Sequence, residues 1–200
     1  EYFNVVLADP RIEAFPVQPW FKIGIPALNA MVHKAATEGF SHIWFVSTRL
    51  IINEEITEKL LGHFEKNTLV VGAVMPGHIL AAKPSRMTRV DCDGNTCPYN
   101  TCAIWNLKFL HATGFLSVSE MPLCPEKAGV EEVAMVTLQR QLFTNVAKLV
   151  SIPGIIAQTD HWDNERQARN EKIVSTKQER SIAQLDMLSL SPTHLYHIHY

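Results

Sequence analysis

Hydrophobic and polar positions alternate along this chain with two different spacings. Short apolar runs, continuous or of period two, predict buried strands at residues 3–8, 42–46, 68–74 and 146–152. Between them, apolar residues recur every third or fourth position, which predicts amphipathic helices at 24–38, 53–67 and 130–143. This alternation is typical of an α/β domain in which helices cover a sheet.

Polar residues at three positions indicate where further helices begin. Asn53 stands before two glutamates, an arrangement that suits a helix N-terminus. Asp163 is a candidate cap for a charged helix. Ser175 with Gln178 forms a candidate capping box for a last helix that continues to Leu188.

Two stretches lack either periodicity. Residues 76–101 are rich in Pro, Asp, Asn and Gly and predict a long irregular loop, which in a compact domain is usually functional or mobile. Residues 103–110 lead into a short helix that ends at Gly114. Residues 189–200 predict a peripheral tail, so the sequence divides into one domain at 1–188 and a C-terminal tail at 189–200.

Composition narrows the class of protein. The 200 residues are 46% hydrophobic and 19% charged, enough apolar mass for one buried core. The formal net charge is -2, so no overall field attracts nucleic acid or an anionic membrane. No apolar run approaches the roughly twenty residues that a membrane span requires. We therefore expect a globular protein with no nucleic-acid partner and no membrane span.

The four cysteines and the first residues bear on compartment and processing. Cys92, Cys97 and Cys102 are spaced by five, and no C-x-x-C pair suggests a metal knuckle. Reduced thiols in a cytoplasmic protein are the expectation, with one disulfide inside the 92–102 loop as the alternative. The chain starts without Met or a signal sequence, which predicts a fragment or a processed chain.

Candidate chemistry lies where predicted strands end, because open α/β sheets place ligands there. Asp9 could accept hydrogen bonds from a base or ribose, or it could be an ordinary turn residue before Pro10. Arg49, after Ser47, could pair with phosphate, or it could meet the acidic pair that opens the next helix.

Acidic and basic residues farther along leave similar alternatives. Glu131 and Glu132 open a helix, where the helix dipole stabilises carboxylates whether or not they are catalytic. His161 could bind a metal or a phosphate, although a lone loop histidine more often does neither. The basic run that contains Arg169 and Lys172 is interleaved with Glu and by itself predicts a solvated helix face.

The order of these pieces resembles the catalytic domain of inverting GT-A glycosyltransferases over residues 3–180. The most specific stretch is Gly129-Val130-Glu131-Glu132 and the helix through Gln141, then the strand ending at Pro153, then His161. It is similar to the family's acidic pair at a helix start, followed by a strand with Pro and a later His. The resemblance implies a Rossmann-like, mixed but mostly parallel sheet flanked by helices, with Glu132 as catalytic base and Glu131 beside it.

The resemblance also implies partners and binding residues. Residues 100–106 are similar to the family's acceptor-side segment, which makes Asn100 and Trp105 acceptor-binding candidates. Asp9 matches an acidic residue that contacts the uridine of the donor in many members. The partners implied are a nucleotide-diphospho-sugar and an unknown acceptor. The donor-binding candidates are Asp9, Ser47, Arg49, Arg169 and Lys172.

Two departures from the family pattern modify that expectation. Where the family has Asp-x-Asp to hold Mn²⁺ or Mg²⁺, this chain has Ser47-Thr48-Arg49, which leaves His161 as the one candidate metal ligand. The family's first strand would precede Phe3, so part of the donor pocket is missing, truncated or differently built. The sequence therefore predicts a metal-independent or weakly metal-dependent transferase in which Arg49, Arg169 and Lys172 stabilise the diphosphate.

Two other functions stay open at this point. A catalytically inactive GT-A-like binding or scaffold module would also explain the lost Asp-x-Asp, because a fold does not fix an activity. A nucleotidyltransferase would need a Gly-rich phosphate loop near the first strand, and the sequence has none there. The apolar pair Trp20-Phe21 and the 189–200 tail are candidate surfaces for a homo-oligomer.

Overall fold

A computed structural model describes residues 9–14, 17, 24–82, 86–121, 124–159 and 162–199. The predicted strand at 3–8, the Trp20-Phe21 pair and His161 lie outside the described residues. In the described part of the chain the strands are His42–Val46 (β1), Leu50–Ile51 (β2), Thr68–Ala73 (β3), Met87–Asp91 (β4), Cys102–Asn106 (β5), Val146–Ser151 (β6), Ile156–Ala157 (β7) and His194–His199 (β8). The α-helices are Ile25–Thr37 (α1), Glu54–Leu61 (α2), Leu107–Thr113 (α3), Glu131–Leu142 (α4), Asn164–Ser175 (α5) and Lys177–Met187 (α6).

Six strands form one mixed sheet in the order β1-β5-β3-β6-β8-β4, and β2 pairs with β7 in a separate ribbon. The α/β class and the flanking helices are confirmed. The expectation of a mostly parallel sheet is wrong, because only β3–β6 and β6–β8 are parallel among the described pairs. The reason is that β5 enters between β1 and β3 in the opposite direction, while β4 joins the far edge antiparallel to β8.

Two of the three predicted helix caps are confirmed. The Asn53 side chain caps α2 by accepting from the Ile56 backbone N–H at 3.0 Å. Asp163 caps α5 by accepting from Arg166 N at 2.7 Å. The capping box at Ser175 is wrong, because that hydroxyl donates back to the Lys172 carbonyl at 3.1 Å and α6 starts without a side-chain cap.

Three segments differ from their prediction. The 76–101 loop contains the edge strand β4, and residues 102–106 form β5 before the short helix begins. The predicted tail instead supplies β8, which lies between β6 and β4 inside the sheet. Its His197 is fully buried and contacts the Thr96 carbonyl and the Ala81 N–H, both at 3.2 Å. The apolar pattern did not predict this strand, because histidines occupy its inward positions.

The core lies on both faces of the sheet. Residues of β3 and β5 are divided between two apolar clusters, one packed against α1, α3, α4 and α6 and the other against α2. The first contains Val70 and Trp105, and the second contains Val71 and Ile104. Fully burying one side chain of this size stabilises the fold by about 1.5–3 kcal/mol. Leu142, at the end of α4, is 57% exposed.

The described helices include none with the length and apolar character needed to cross a bilayer. All four cysteines are free thiols, so the alternative disulfide within 92–102 is not formed.

Candidate functional site

A cavity of about 500 Å³ opens at one edge of the sheet. The ends of β1 and β3 and the start of β5 meet at this edge, and the Ser47 N–H donates to the Thr101 carbonyl at 2.8 Å there. Open α/β sheets bind their ligands at such strand ends. The cavity is lined by Leu28, Phe45, Val46, Ser47, Tyr99, Asn100, Thr101, Gly129, Val130, Glu131, Glu132, Ile173, Lys177 and Arg180.

The acidic pair enters the cavity from the first turn of α4. Before that turn, Gly129 and Val130 both have positive φ, at 90° and 61°. A β-branched residue in this region costs about 1–3 kcal/mol, so the surrounding contacts must hold the turn. Arg180 supplies one contact by donating to the Ala128 carbonyl at 2.7 Å. A Cβ at position 129 would lie 2.7 Å from the Arg180 Nη1, so glycine is needed for this close approach.

Asn100 connects both carboxylates to the core. Its backbone N–H donates to Glu132 Oε1 at 2.6 Å, and its side-chain amide donates to Glu131 Oε1 at 3.0 Å. The Trp105 indole N–H donates to Asn100 Oδ1 at 2.9 Å. Because Trp105 is fully buried, the predicted direct contact between its ring and an acceptor is not met. Trp105 positions Asn100, and Asn100 lines the cavity.

Glu132 and Lys177 have strongly shifted pKa values. Burial and the neighbouring Glu131 raise the pKa of Glu132 to about 8, against the opposing effects of the Asn100 N–H and Lys177. Burial lowers the pKa of Lys177 to about 8, against the opposing effect of Glu132. A carboxyl group whose pKa lies near the pH of the reaction is an efficient general base, because it can both accept a proton and release it again.

Two smaller cavities continue from the first. One of about 180 Å³ shares Tyr99, Thr101, Ile173 and Lys177 with it and reaches Arg49 and Trp162. The next, of about 260 Å³, shares Arg49, Trp162, Asn170 and Ile173 with the second and adds Arg166 and Arg169. We call these three cavities together the cleft. The first cavity holds the carboxylates Glu131 and Glu132 beside the cations Lys177 and Arg180, and we call it the acidic end after its two carboxylates. The third cavity, with its arginines, is the basic end.

Trp162 organises the basic end. The guanidinium carbons of Arg49 and Arg166 lie 5.1 and 4.8 Å from its ring centroid, within the range of cation–π attraction. Arg49 Nε and Trp162 Nε1 are buried and have no hydrogen-bond partner among the described residues. The alternative ion pair of Arg49 with Glu54 or Glu55 does not occur, and Glu55 instead pairs with Lys59 at 2.6 Å. Two buried N–H donors therefore remain for an acceptor such as phosphate.

The structure brings some predicted site residues together and separates others. Ser47, Asn100, Glu131 and Glu132 line the first cavity, Arg49 lines the second and third, and Arg169 lines the third. Lys172 is exposed and is not among the lining residues of the cleft.

Asp9 is also not among the lining residues of the cleft. Its carboxylate pairs with Arg11 at 2.6 Å, which lowers the pKa of Asp9. Asp9, a donor-binding candidate, therefore does not share a cavity with Glu132 among the described residues. His161 lies outside them.

The sequence analysis did not identify Lys177 and Arg180 as site residues, because both belong to the basic run that was interpreted as a solvated helix face. Their spacing from Gln184 and Leu185, which α6 buries against the core, would have indicated that they face inward. Residues three and four apart share a helix face, so a Lys-x-x-Arg pair in register with Gln184 lies on the inner side.

Ser47 and Arg49, which the sequence resemblance places at Asp-x-Asp, do not fit a divalent cation. Mn²⁺ and Mg²⁺ need several hard oxygen ligands, whereas Ser47 offers one hydroxyl and Arg49 a positive charge that repels the ion. Across the described ranges, His, Cys, Asp and Glu form no group of three suited to a metal ion. We therefore derive no step through a bound metal.

No protein-family model matches this sequence, and a search of curated proteins finds no match.

Proposed function

We propose that this chain is an inverting glycosyltransferase with a GT-A-like fold, which moves a sugar from a nucleotide-diphosphate donor to an acceptor hydroxyl. One observation carries the proposal: a buried carboxylate, Glu132, and an arginine cluster around Trp162 lie at opposite ends of one cleft at the sheet edge. Sugar transfer needs both groups, because a base must act on the acceptor while cations bind the leaving diphosphate.

The reaction assigns one event to each end of the cleft. At the acidic end, the acceptor oxygen bonds to the anomeric carbon from the face opposite the diphosphate and gives its proton to Glu132. At the basic end, the bond between that carbon and the diphosphate oxygen breaks, and its electron pair leaves with the diphosphate. The carbon is inverted, and the negative charge moves from the carboxylate to the leaving group.

Neighbouring residues prepare Glu132 for this role. The Asn100 N–H bond at 2.6 Å fixes one carboxylate oxygen, and burial keeps the pKa of Glu132 close to the pH at which it would work. Glu131 raises that pKa further, since a second ionised carboxylate nearby disfavours charge on the first. Ser47 and Asn100, which line the same cavity, are available to hydrogen-bond the acceptor or the sugar.

A second candidate function is a catalytically inactive GT-A-like module that binds a nucleotide and transfers nothing. The observation that favours it is Ser47-Thr48-Arg49 at the position where metal-dependent relatives carry two carboxylates. Both functions predict nucleotide binding in the cleft. Only the transferase predicts that Glu132 controls a rate.

The test measures binding and turnover separately. UDP, GDP, CDP and ADP are titrated into the protein by calorimetry, and the corresponding nucleotide sugars are then assayed for release of nucleoside diphosphate with panels of hydroxyl acceptors. We expect one nucleotide to bind and its sugar to be transferred with inversion. Glu132→Gln should lower the rate by about 10²- to 10⁴-fold with nucleotide affinity unchanged.

Glu131→Gln is the matched control, because it removes a carboxylate one residue away and leaves the Asn100–Glu132 bond in place. Its effect on the rate should be much smaller. Nucleotide binding without turnover in the wild type would favour the inactive module. No nucleotide binding at all would refute both functions.

A further inference from the structure

We propose that Lys177 takes the place of the divalent cation, binding the donor diphosphate at the junction between the acidic and basic ends of the cleft. This inference rests on the proposed function and adds to it a residue that the family resemblance did not assign. It makes sugar transfer in this chain independent of added metal.

Lys177 occupies the junction of the first two cavities. Four residues line both cavities, namely Tyr99, Thr101, Ile173 and Lys177, and the lysine is the one charged side chain among them. A sugar whose anomeric carbon faces Glu132 has its diphosphate directed toward Arg49. The diphosphate must therefore pass the Lys177 ammonium.

The ammonium is held without being neutralised by an ion pair. Its Nζ lies 2.9 Å from the centroid of the Tyr99 ring, an arrangement of the cation–π type. Within the described residues it makes no ion pair and no hydrogen bond. A half-buried ammonium with unsatisfied donors is suited to bind an anion that enters the cleft.

Tyr99 itself is fixed in position. Its hydroxyl donates to the Gly94 carbonyl at 2.9 Å and to the Gly77 carbonyl at 3.2 Å. The His78 ring stacks on it with centroids 3.7 Å apart. Burial lowers the pKa of His78 to about 3, so this ring stays neutral and does not compete for the anion.

Two glycines let the backbone around Lys177 approach the sheet edge closely. A Cβ at Gly94 would lie 2.2 Å from the Lys177 carbonyl oxygen, and one at Gly77 would lie 2.9 Å from Val174 Cγ1. Larger residues at either position would displace the α5–α6 corner. The corner is therefore seated against the loop that carries Tyr99, and the lysine is positioned before any ligand binds.

The groups that face Lys177 explain its charge state. Glu131, Glu132 and Cys97 favour the charged ammonium, Arg180 opposes it, and burial opposes it most. A bound diphosphate adds negative charge and favours the ammonium further. During transfer, the bond from the anomeric carbon to the diphosphate oxygen breaks, and the ammonium hydrogen-bonds the phosphate oxygens that receive the charge. Lys177 keeps its proton, so no other reactant is needed.

The test uses the full chain in buffer with EDTA and titrates inorganic pyrophosphate and each nucleoside diphosphate, with ³¹P NMR as the readout. Lys177→Met should weaken pyrophosphate binding by about 10- to 100-fold, as expected on losing a charge-assisted hydrogen bond. Lys177→Arg should retain most of the affinity. Lys66→Met, exposed on the opposite edge before β3, should change nothing. Thermal melting checks that each variant is folded.

The outcomes separate this inference from the proposed function. Transfer by the wild type that needs Mn²⁺, or pyrophosphate binding unaffected by Lys177→Met, would overturn the role of Lys177 while the transferase stands. Absence of turnover combined with Lys177-dependent pyrophosphate binding would overturn the transferase and retain the anion site. Absence of pyrophosphate binding in EDTA would overturn the anion site directly.

Discussion

The backbone N–H of Asn100 and the carboxylate of Glu132 lie 2.6 Å apart, and this bond joins the strand that starts at Cys102 to the first turn of α4. The same asparagine reaches Glu131 and Trp105 through its side chain. One residue therefore sets the positions of both acidic groups.

Asn100→Ala should lower both stability and transfer rate. It keeps the backbone bond to Glu132 but leaves the buried Trp105 N–H without its acceptor, at a cost of about 1–3 kcal/mol. Chemical denaturation measures the first effect, and the transfer assay measures the second.

Trp105→Phe in the Asn100→Ala background is the control, because it removes the orphaned N–H while keeping a large apolar ring. Part of the lost stability should return. If the double variant were no more stable than Asn100→Ala, the orphaned indole N–H would not be the cause of the lost stability.

Glu132→Gln should be more stable than the wild type, and the difference should grow as pH rises from 5 to 8. Burial raises the pKa of Glu132 to about 8, so the folded state holds a proton that the unfolded chain loses near the ordinary value of 4.5. Wild-type stability contributed by this group is full below pH 4.5 and is lost as pH rises through 8. Lys177 remains largely charged over most of this window.

At the alkaline end of that window the gain should reach several kcal/mol, because each unit of pKa difference between the folded and unfolded states corresponds to about 1.4 kcal/mol. Denaturation curves at several pH values measure it. Glu131→Gln should weaken the pH dependence only in part, because Glu131 is the smaller of the two causes that raise the pKa of Glu132. An equal difference at every pH would contradict a raised pKa at Glu132.

The pH dependence of kcat/KM should be a narrow bell centred near 8. The productive state needs Glu132 ionised and Lys177 protonated, so the rate rises through the first pKa and falls through the second. Both groups are also influenced by Glu131, and Arg180 lies close to Lys177.

Lys177→Arg distinguishes the rising acid limb of the profile from its falling alkaline limb, because a guanidinium stays charged throughout this pH range. The acid limb should remain and the alkaline limb should disappear. Retention of both limbs would assign the alkaline limb to another group.

Gly94→Ala should displace Lys177 and weaken pyrophosphate binding. The new Cβ would lie 2.2 Å from a backbone carbonyl of α6, and such overpacking typically costs about 1–3 kcal/mol. Gly62→Ala, at the exposed end of α2 with an ordinary helical φ of -60°, is the control and should bind normally. Normal binding by Gly94→Ala would show that the α5–α6 corner can move without loss of the site.

The sequence predicted the elements whose apolar periodicity was strong and local. α1, β1, β3, α4 and β6 were all found within one or two residues of their predicted bounds. β5 was missed because Ala103–Trp105 runs directly into α3, so one apolar run serves two elements. β8 was missed because its inward positions carry histidine, which is buried only when tertiary partners such as Thr96 satisfy it.

The candidate site was predictable where a residue's role follows from its local context. Glu131, Glu132, Ser47 and Arg49 stand at helix starts or strand ends and were found in the cleft. Lys177 also stands at a helix start, but its local context does not show its role, which depends on Tyr99 approaching from a distant loop. Asp9, which looked equivalent to Ser47 in sequence, forms a local ion pair with Arg11 instead.

The insertion of β8 between β6 and β4 also constrains the order of folding. In the described sheet, β4 has β8 as its one hydrogen-bonded neighbour, and Met87 pairs with Ile198. During synthesis this edge has no partner until the chain has been made through residue 199. Pairing across so long a loop is slow, so we expect the half of the sheet nearer β1 to form first and to act as the template on which β8 and then β4 dock.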